Sequence, residues 1–263
     1  RPDGAPLLSA DGPDLATAPS ATILLRNALG RPRAATNGLL AVGYNHGSAP
    51  SLTYAEAEAT LVAQLLGGEA LVGPAPKSEA LLARAGGARL LHVACHAAYN
   101  AVDPLATALQ LGGGDALSAQ TIIERLRLHC DLVTLSACTS GLSKVVSGDE
   151  LLGLPRAMLY AGAPAVVCTL WEADDCAALI VSYFLYRGLA AGAGPAAALR
   201  SAVTTLRALS GRAVLDLLAG LRSGWPEALG VLRDPPLDAA ALDQAPYADP
   251  LIWAPFLLIG RPD

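Results

Sequence analysis

The chain predicts an α/β domain built on a mostly parallel sheet, and three observations carry that reading. Short apolar runs recur along it: Leu39-Leu-Ala-Val-Gly-Tyr44, Ala70-Leu-Val72, Leu90 to Cys95, Leu132 to Ala137 and Ala165 to Trp171. Continuous apolar runs of this length belong to strands buried on both faces, as parallel strands are. Stretches with helical signals separate these runs, and strand, helix, strand at this spacing implies right-handed crossovers within one sheet. Finally, 263 residues of which 53% are hydrophobic and 16% charged can bury one large core, and carry too little charge for a disordered chain.

The elements follow in order. Residues 1–18 are rich in Pro, Ala, Gly, Asp and Ser and read as a linker, or the end of an upstream region, that leaves 19–263 as the domain. The chain opens on Arg1 rather than Met, as expected of a fragment or a processed product. Ala21 to Leu29 reads as a short helix and Leu39 to Tyr44 as the first strand. Thr53 and Glu56 stand three apart, as in a capping box. The helix they would start has an apolar stripe of Leu61, Val62, Leu65 and Leu66, and Gly67-Gly68 stops it. A second strand at Ala70, a helix from Ser78 to Arg84 and the Leu90 strand follow. Thr107 to Gly114, apolar and then glycine-rich, reads as a small hairpin, and Leu117 to Leu126 as a helix.

Ser147 and Glu150 make a second capping box for a helix that runs to Tyr160 and ends at Gly162. After the Ala165 strand, Asp174 and Asp175 open another helix, where carboxylates favour the positive end of the dipole. Gly194-Pro195 begins a helix to about Ser210, with proline at its first position. A partial helix from Val214 to Leu221 precedes a Pro- and Asp-rich loop, and Trp253 to Ile259 reads as the last strand.

Composition excludes several classes. A formal charge of -5 with no basic stripe argues against direct nucleic-acid binding. Five cysteines, an odd number without regular spacing, do not form a disulfide framework and suit a reducing cytosol, so a cytoplasmic protein is expected. The longest apolar run, Ala177 to Tyr186, is too short to span a bilayer, and no membrane partner is expected.

The chemistry centres on Asp131-Leu-Val-Thr-Leu-Ser136-Ala-Cys138-Thr-Ser-Gly141. An apolar strand here breaks into a small polar turn, which delivers Cys138 to the carboxyl edge of the sheet, where ligands and reacting groups collect. A lone cysteine is more often a small buried hydrophobe. As a nucleophile it needs a basic partner, because a free thiol with a pKa of about 8.5 is mostly protonated at neutral pH. His96 ends the Leu90 strand, and if the two strands are neighbours their ends meet in a Cys-His dyad. His92 lies mid-strand and is expected to be buried. His46 follows the first strand and His129 precedes the Leu132 strand, so neither converges on the site, and Cys95, Cys130, Cys168 and Cys176 read as packing residues.

The blocks His92-Val-Ala-Cys-His96-Ala, Leu135-Ser-Ala-Cys138-Thr-Ser-Gly141, Gly148-Asp-Glu-Leu-Leu-Gly-Leu154, Tyr160-Ala-Gly-Ala163, Thr169-Leu-Trp-Glu-Ala-Asp-Asp175 and Trp253-Ala-Pro-Phe-Leu-Leu-Ile-Gly260 resemble the CHAT domain. That family is related to caspases and separases. The similarity runs from about Pro19 to Gly260. It implies a caspase-like three-layer αβα sandwich with a mostly parallel central sheet of about six strands. It further implies that Cys138 and His96 are catalytic, and that the backbone amides of Ala97 and Cys138 bind the oxyanion. Many relatives have glycine where this chain has Ala97.

Separases, which cut after arginine, use an acidic residue beyond their Leu-Trp block. Here Glu172, Asp174 and Asp175 follow Trp171, and these four with Ser136 are the candidates for lining the primary pocket. Either an acidic pocket or one for a small or apolar residue fits. Relatives also carry upstream helical repeats and stay silent until a partner orders the active-site loops, here Thr139 to Gly148.

No cofactor or metal is expected. On a strand, His92 and His96 stand about 13 Å apart, too far to share a zinc. Gly141-Leu-Ser143-Lys-Val145 fails the G-x-S-x-G pattern at its last position, and no phosphate-cradling loop occurs. Three functions remain: a cysteine endopeptidase acting on a specific protein, as a bacterial regulatory or defence protease under a partner or upstream sensor; a catalytically silent binding module; and a thiol acyltransferase or amidase on the same dyad.

Overall fold

In the computed structural model, which describes residues 12–18, 22, 25, 38–100, 102–137, 139–140 and 153–263, the elements in chain order are β1 (Leu39–Gly43), α1 (Ala55–Leu66), β2 (Glu69–Val72), α2 (Ser78–Ala85), β3 (Leu90–Ala94), β4 (Ala97–Ala98), β5 (Ala108–Gln110), β6 (Ala116–Ser118), α3 (Ala119–Arg125), β7 (Leu132–Ser136), β8 (Thr139–Ser140), α4 (Gly153–Ala161), β9 (Ala165–Thr169), α5 (Asp175–Ala190), α6 (Pro195–Ala208), α7 (Gly211–Gly224), α8 (Pro226–Leu229), α9 (Pro250–Trp253) and β10 (Phe256–Gly260). Cys138, the helix expected at Ala21 to Leu29 but for two positions, the Ser147–Glu150 capping box and the turn from Gly141 to Gly148 lie outside the described residues.

The apolar runs form one six-stranded sheet in the order β2-β1-β3-β7-β9-β10. Every neighbouring pair is parallel except β9 and β10. Strand alternation sends side chains to two separate cores. Leu39, Ala41, Leu90, Leu132, Ala165 and Val167 face the layer that holds α1, α5, α6 and α7. Leu40, Val42, Leu91, Val93, Val133, Leu135, Val166 and Cys168 face the layer of α2, α3 and α4. A strand with apolar residues on both faces needs cover on both, and this is the physical source of the three layers.

Several local outcomes differ from the sequence expectation for identifiable reasons. The Thr53–Glu56 capping box does not form: α1 begins at Ala55 after Tyr54, without a side-chain cap of its own. The Glu56 carboxylate instead accepts the Asn45 amide, and the Thr53 amide goes to Asp175. Thr107 to Gly114 is more than a hairpin. Its strand β5 joins β4, β6 and β8 in a second sheet of order β6-β5-β4-β8. The last strand starts three residues late because Asp249 caps a short helix, accepting the Leu251 amide at 2.9 Å, with Pro250 at its first position. The partial helix near Val214 extends over Gly211–Gly224, started by Ser210, whose hydroxyl accepts the Ala213 amide.

Two packing details fix the borders of the sheet. At Gly43, the end of β1, a Cβ would meet the Ala55 carbonyl oxygen at 2.6 Å and the Ala59 Cβ at 2.7 Å. Only glycine lets α1 lie this close to the strand end. At the far edge, Thr17 lies beside Ile259 of β10 and exchanges backbone hydrogen bonds with Leu258 and Gly260, so the segment before the domain proper is tied to the sheet.

Candidate active site

In the sheet register, Gly43 stands beside Ala94, Ala94 beside Ser136, and Leu135 beside Cys168. The carboxyl ends of β1, β3, β7 and β9 therefore share one edge, and the residues following them, Asn45, His96 and Trp171, leave the sheet on the same side. The small second sheet closes over this edge: Ala97 pairs with Leu109 of β5 and Thr139 of β8, and Ala98 pairs with Ser140.

His96 is half-buried and held from two directions. Its backbone carbonyl accepts the Gln110 amide at 2.8 Å. Its ring Nε2 lies 3.1 Å from the Pro50 carbonyl oxygen. A carbonyl can only accept, so in the neutral ring Nε2 carries the proton and Nδ1 keeps its lone pair. A histidine in this tautomer is ready to take up a proton at Nδ1. The resemblance pointed to His96 but not to Pro50, because a backbone carbonyl leaves no mark in side-chain identity.

Four of the five cysteines are unsuited to nucleophilic work. Cys95, Cys130, Cys168 and Cys176 are buried. Burial pushes the thiols of Cys130, Cys168 and Cys176 up to about 12. A thiol so shifted is protonated at neutral pH and inert. Cys138, the remaining one, is the candidate from sequence and lies outside the described residues.

The candidate pocket residues divide by what their side chains touch. Ser136, half-buried at the end of β7, donates to Glu58 Oε2 at 3.1 Å. Trp171 Nε1 donates to the Leu251 carbonyl at 2.8 Å. Asp174 caps α5, its Oδ1 accepting the Ala177 amide at 2.8 Å. Asp175 Oδ2 accepts the amides of both Thr53 and Tyr54 at the start of α1. Glu172 is exposed. Asp174 thus performs the helix-terminus role expected of its position, whereas Asp175 serves the start of α1 rather than of its own helix. Ala97 is buried at the start of β4.

Sequence reasoning missed a buried polar cluster directly beneath this edge. Glu58, 1% exposed, lies on the face of α1 that packs on the sheet. Its Oε1 accepts from Ser182 at 2.6 Å and lies 3.3 Å from His92 Nε2, a close approach that is not aligned as a hydrogen bond. Tyr186 OH donates to Thr134 at 3.0 Å and lies 3.3 Å from His92 Nδ1. His92 is fully buried, as its mid-strand position predicts. The visible signal was Glu58 itself, a carboxylate three and four positions before Leu61 and Val62 on the apolar stripe.

Asp175 titrates in an accessible range. Burial raises its carboxyl to about 6, with Glu58 and Asp174 adding to the rise against the two backbone hydrogen bonds. The folded pKa lies above the unfolded one, so the bound proton stabilises the fold fully below about pH 4, and that contribution is lost as pH rises through about 6. Asp175→Asn, which cannot ionise, is expected to gain stability over the wild type on the order of 2 kcal/mol at pH 7.5 and to match it near pH 4. Urea titrations at the two pH values check this, and an equal difference at both would show that ionisation is not the cause.

The profile of the CHAT domain family matches residues 1–261. No curated protein matches the sequence. Among solved structures, the Arg-specific cysteine proteinase gingipain R superposes with a TM-score of 0.51 at 11% identity, over 92% of this chain and 51% of that one. The complex of the Porphyromonas gingivalis RgpB pro- and mature domains gives 0.51 at 11% identity, over 91% and 52%. The Saccharomyces cerevisiae separase–securin complex gives 0.47 at 17% identity, over 69% and 12%. The chain spans about half the length of the gingipain chains it matches. The fold is the caspase-like α/β sandwich with its six-stranded, mostly parallel sheet.

Proposed function

Because the chain belongs to the CHAT domain family and has the fold of caspase-like cysteine peptidases, we propose that it is a cysteine endopeptidase in which His96 serves Cys138 as general base. One observation carries this reading. Ala94 pairs with Ser136 before the two positions and Ala97 with Thr139 after them, in the same relative step. The proposal continues that step of 42 residues through the positions between, which makes His96 and Cys138 partners in sequence register.

In the proposed reaction, the Cys138 thiol loses its proton to His96 Nδ1, and its sulfur attacks the scissile carbonyl carbon. The C–N bond breaks as the same proton passes to the leaving amine. Water, deprotonated by His96, then releases the second product from the acyl-enzyme. The amides of Ala97 and Cys138 are the proposed donors to the oxyanion. Pro50 supports the base role: its carbonyl engages Nε2, so the ring keeps its acceptor at Nδ1.

The proposed substrate is a specific protein, approached across the edge bordered by Ser136, Trp171 and Glu172, with Asp174 and Asp175 behind their helix termini. Control by a partner or an upstream sensor, and a cytoplasmic setting, belong to the same proposal. Among the described residues no helix is long and apolar enough to cross a membrane.

The test is cleavage of a diverse peptide library by the wild type and by Cys138→Ala, read by mass spectrometry. Cuts confined to the wild type are expected, and the residues flanking them define the pocket as basic-selective or as small and apolar. Cuts shared by both proteins would overturn the reading. So would none at all once the upstream region and neighbouring proteins are supplied. Ligation to an added amine in place of hydrolysis would make the protein an acyltransferase.

A further inference from the structure

The segment between β1 and α1, residues 45–53, runs over the catalytic edge as a strap. It carries the Pro50 carbonyl that meets His96. Its middle, His46-Gly-Ser-Ala-Pro-Ser51, is exposed and made mostly of small residues. Such a segment buries little apolar surface, so its position depends on its hydrogen bonds.

Those bonds fall at three points. At the entry, Asn45 and Glu56 hold each other reciprocally, the Asn45 amide donating to Glu56 Oε1 at 3.2 Å and the Glu56 amide to Asn45 Oδ1 at 2.9 Å. The Leu52 amide also donates to the Asn45 carbonyl at 2.7 Å. In the middle, Ser48 donates to Gln110 Oε1 at 2.7 Å, and the amide of the same Gln110 holds the His96 carbonyl. At the exit the anchor comes from another element: Asp175, the first residue of α5, takes both the Thr53 and the Tyr54 amides on one oxygen. Since α1 has no side-chain cap of its own, this carboxylate also closes its amino terminus.

We propose that Asp175 is a positioning residue for His96. By fastening the exit of the strap it keeps the Pro50 carbonyl against Nε2, and so holds the ring in the tautomer with its lone pair on Nδ1. The inference rests on His96 being the base, and it gives Asp175 a role other than lining the primary pocket. A carboxylate whose oxygen is spent on two backbone amides serves as a structural clasp, and loosening it frees the imidazole to change tautomer or turn away from the thiol. A misplacement of about 1 Å at such a group costs about 100-fold in rate.

The experiment compares the wild type with Asp175→Ala and Asp175→Asn, using the best peptide from the library and histidine-labelled protein. Ring nitrogen NMR gives the tautomer, with the His96 signals assigned by their loss in His96→Gln. The wild type is expected to show the Nε2-protonated ring. Asp175→Ala is expected to show mixed tautomers and to lose about 10-fold to 100-fold in kcat with little change in KM. Asp175→Asn keeps an acceptor for the amides and is expected to recover kcat to within a few-fold, as well as the tautomer.

A folded Asp175→Ala protein with an unchanged His96 tautomer and kcat would overturn the proposal. Where the alanine variant does not fold, Asp175→Glu takes its place. It keeps the charge and displaces the clasp by one methylene, and an unshifted ring signal in it is equally decisive against the proposal. The ring spectra need no turnover, so they decide the clasp even if no peptide is cut, whereas absence of cleavage by the wild type counts against the peptidase reading alone.

Discussion

Replacing His96 with alanine is expected to lower kcat/KM by about 100-fold to 10,000-fold, most of it in kcat, with the fold intact. The magnitude is that of a positioned general base. The loss should fall on kcat because the ring acts on a proton in flight and not on the bound peptide. Stability should hardly change, since the ring is only half-buried and, among the described residues, its side-chain hydrogen bond is to the Pro50 carbonyl. His129→Ala is the matched control. His129 is exposed between α3 and the amino end of β7, at the opposite end of that strand from the carboxyl edge, and its loss should alter rate by less than about two-fold and stability by less than about 0.5 kcal/mol. Steady-state kinetics on the library-derived peptide, with circular dichroism for fold, provide the check. A His96→Ala protein within ten-fold of the wild type would remove the histidine from the mechanism.

The architecture was legible because a strand buried on both faces writes itself as an unbroken apolar run, and the runs at Leu39, Leu90, Leu132 and Ala165 are four such strands. The direction of β10 was not. Its residues suit either orientation, and only the path of the chain through α6, α7 and the short helix at Pro250 decides that it returns antiparallel to β9. The Thr53–Glu56 motif misled for a related reason. A local cap competes with distant partners, and here Asn45 and Asp175 win both groups. His96 was legible as a side chain at the end of a strand. Its partner was not, because Pro50 contributes an oxygen that every residue possesses. Asp174 and Asp175 could be placed at the start of a helix from sequence, yet only the fold reveals that Asp175 serves the amino terminus of a different helix.

Glu58→Leu should destabilise the protein by on the order of 3–5 kcal/mol, the largest single-residue effect expected outside the apolar core. The carboxylate joins three elements: Ser182 of α5 on Oε1, His92 of β3 beside that same oxygen, and Ser136 of β7 on Oε2. Removing it leaves the hydroxyls of Ser182, which is buried, and Ser136, which is half-buried, without their acceptor, and takes the polar neighbour from the fully buried His92 Nε2. Each orphaned polar group costs about 1–3 kcal/mol, and two hydroxyls lose their acceptor together. Because the loss comes from orphaned partners, removing a partner as well should return part of it. The double variant Glu58→Leu with Ser182→Ala is expected to be about 1 kcal/mol more stable than the sum of the single effects. Urea denaturation of the four proteins in the cycle measures this, and strict additivity would mean that the Glu58 contacts are not coupled. The consequence reaches the edge through Ser136, two residues before Cys138. With its hydroxyl released, the end of β7 loses its side-chain tie to α1, and kcat/KM should fall by about 10-fold in Glu58→Leu protein that is still fully folded at the assay temperature.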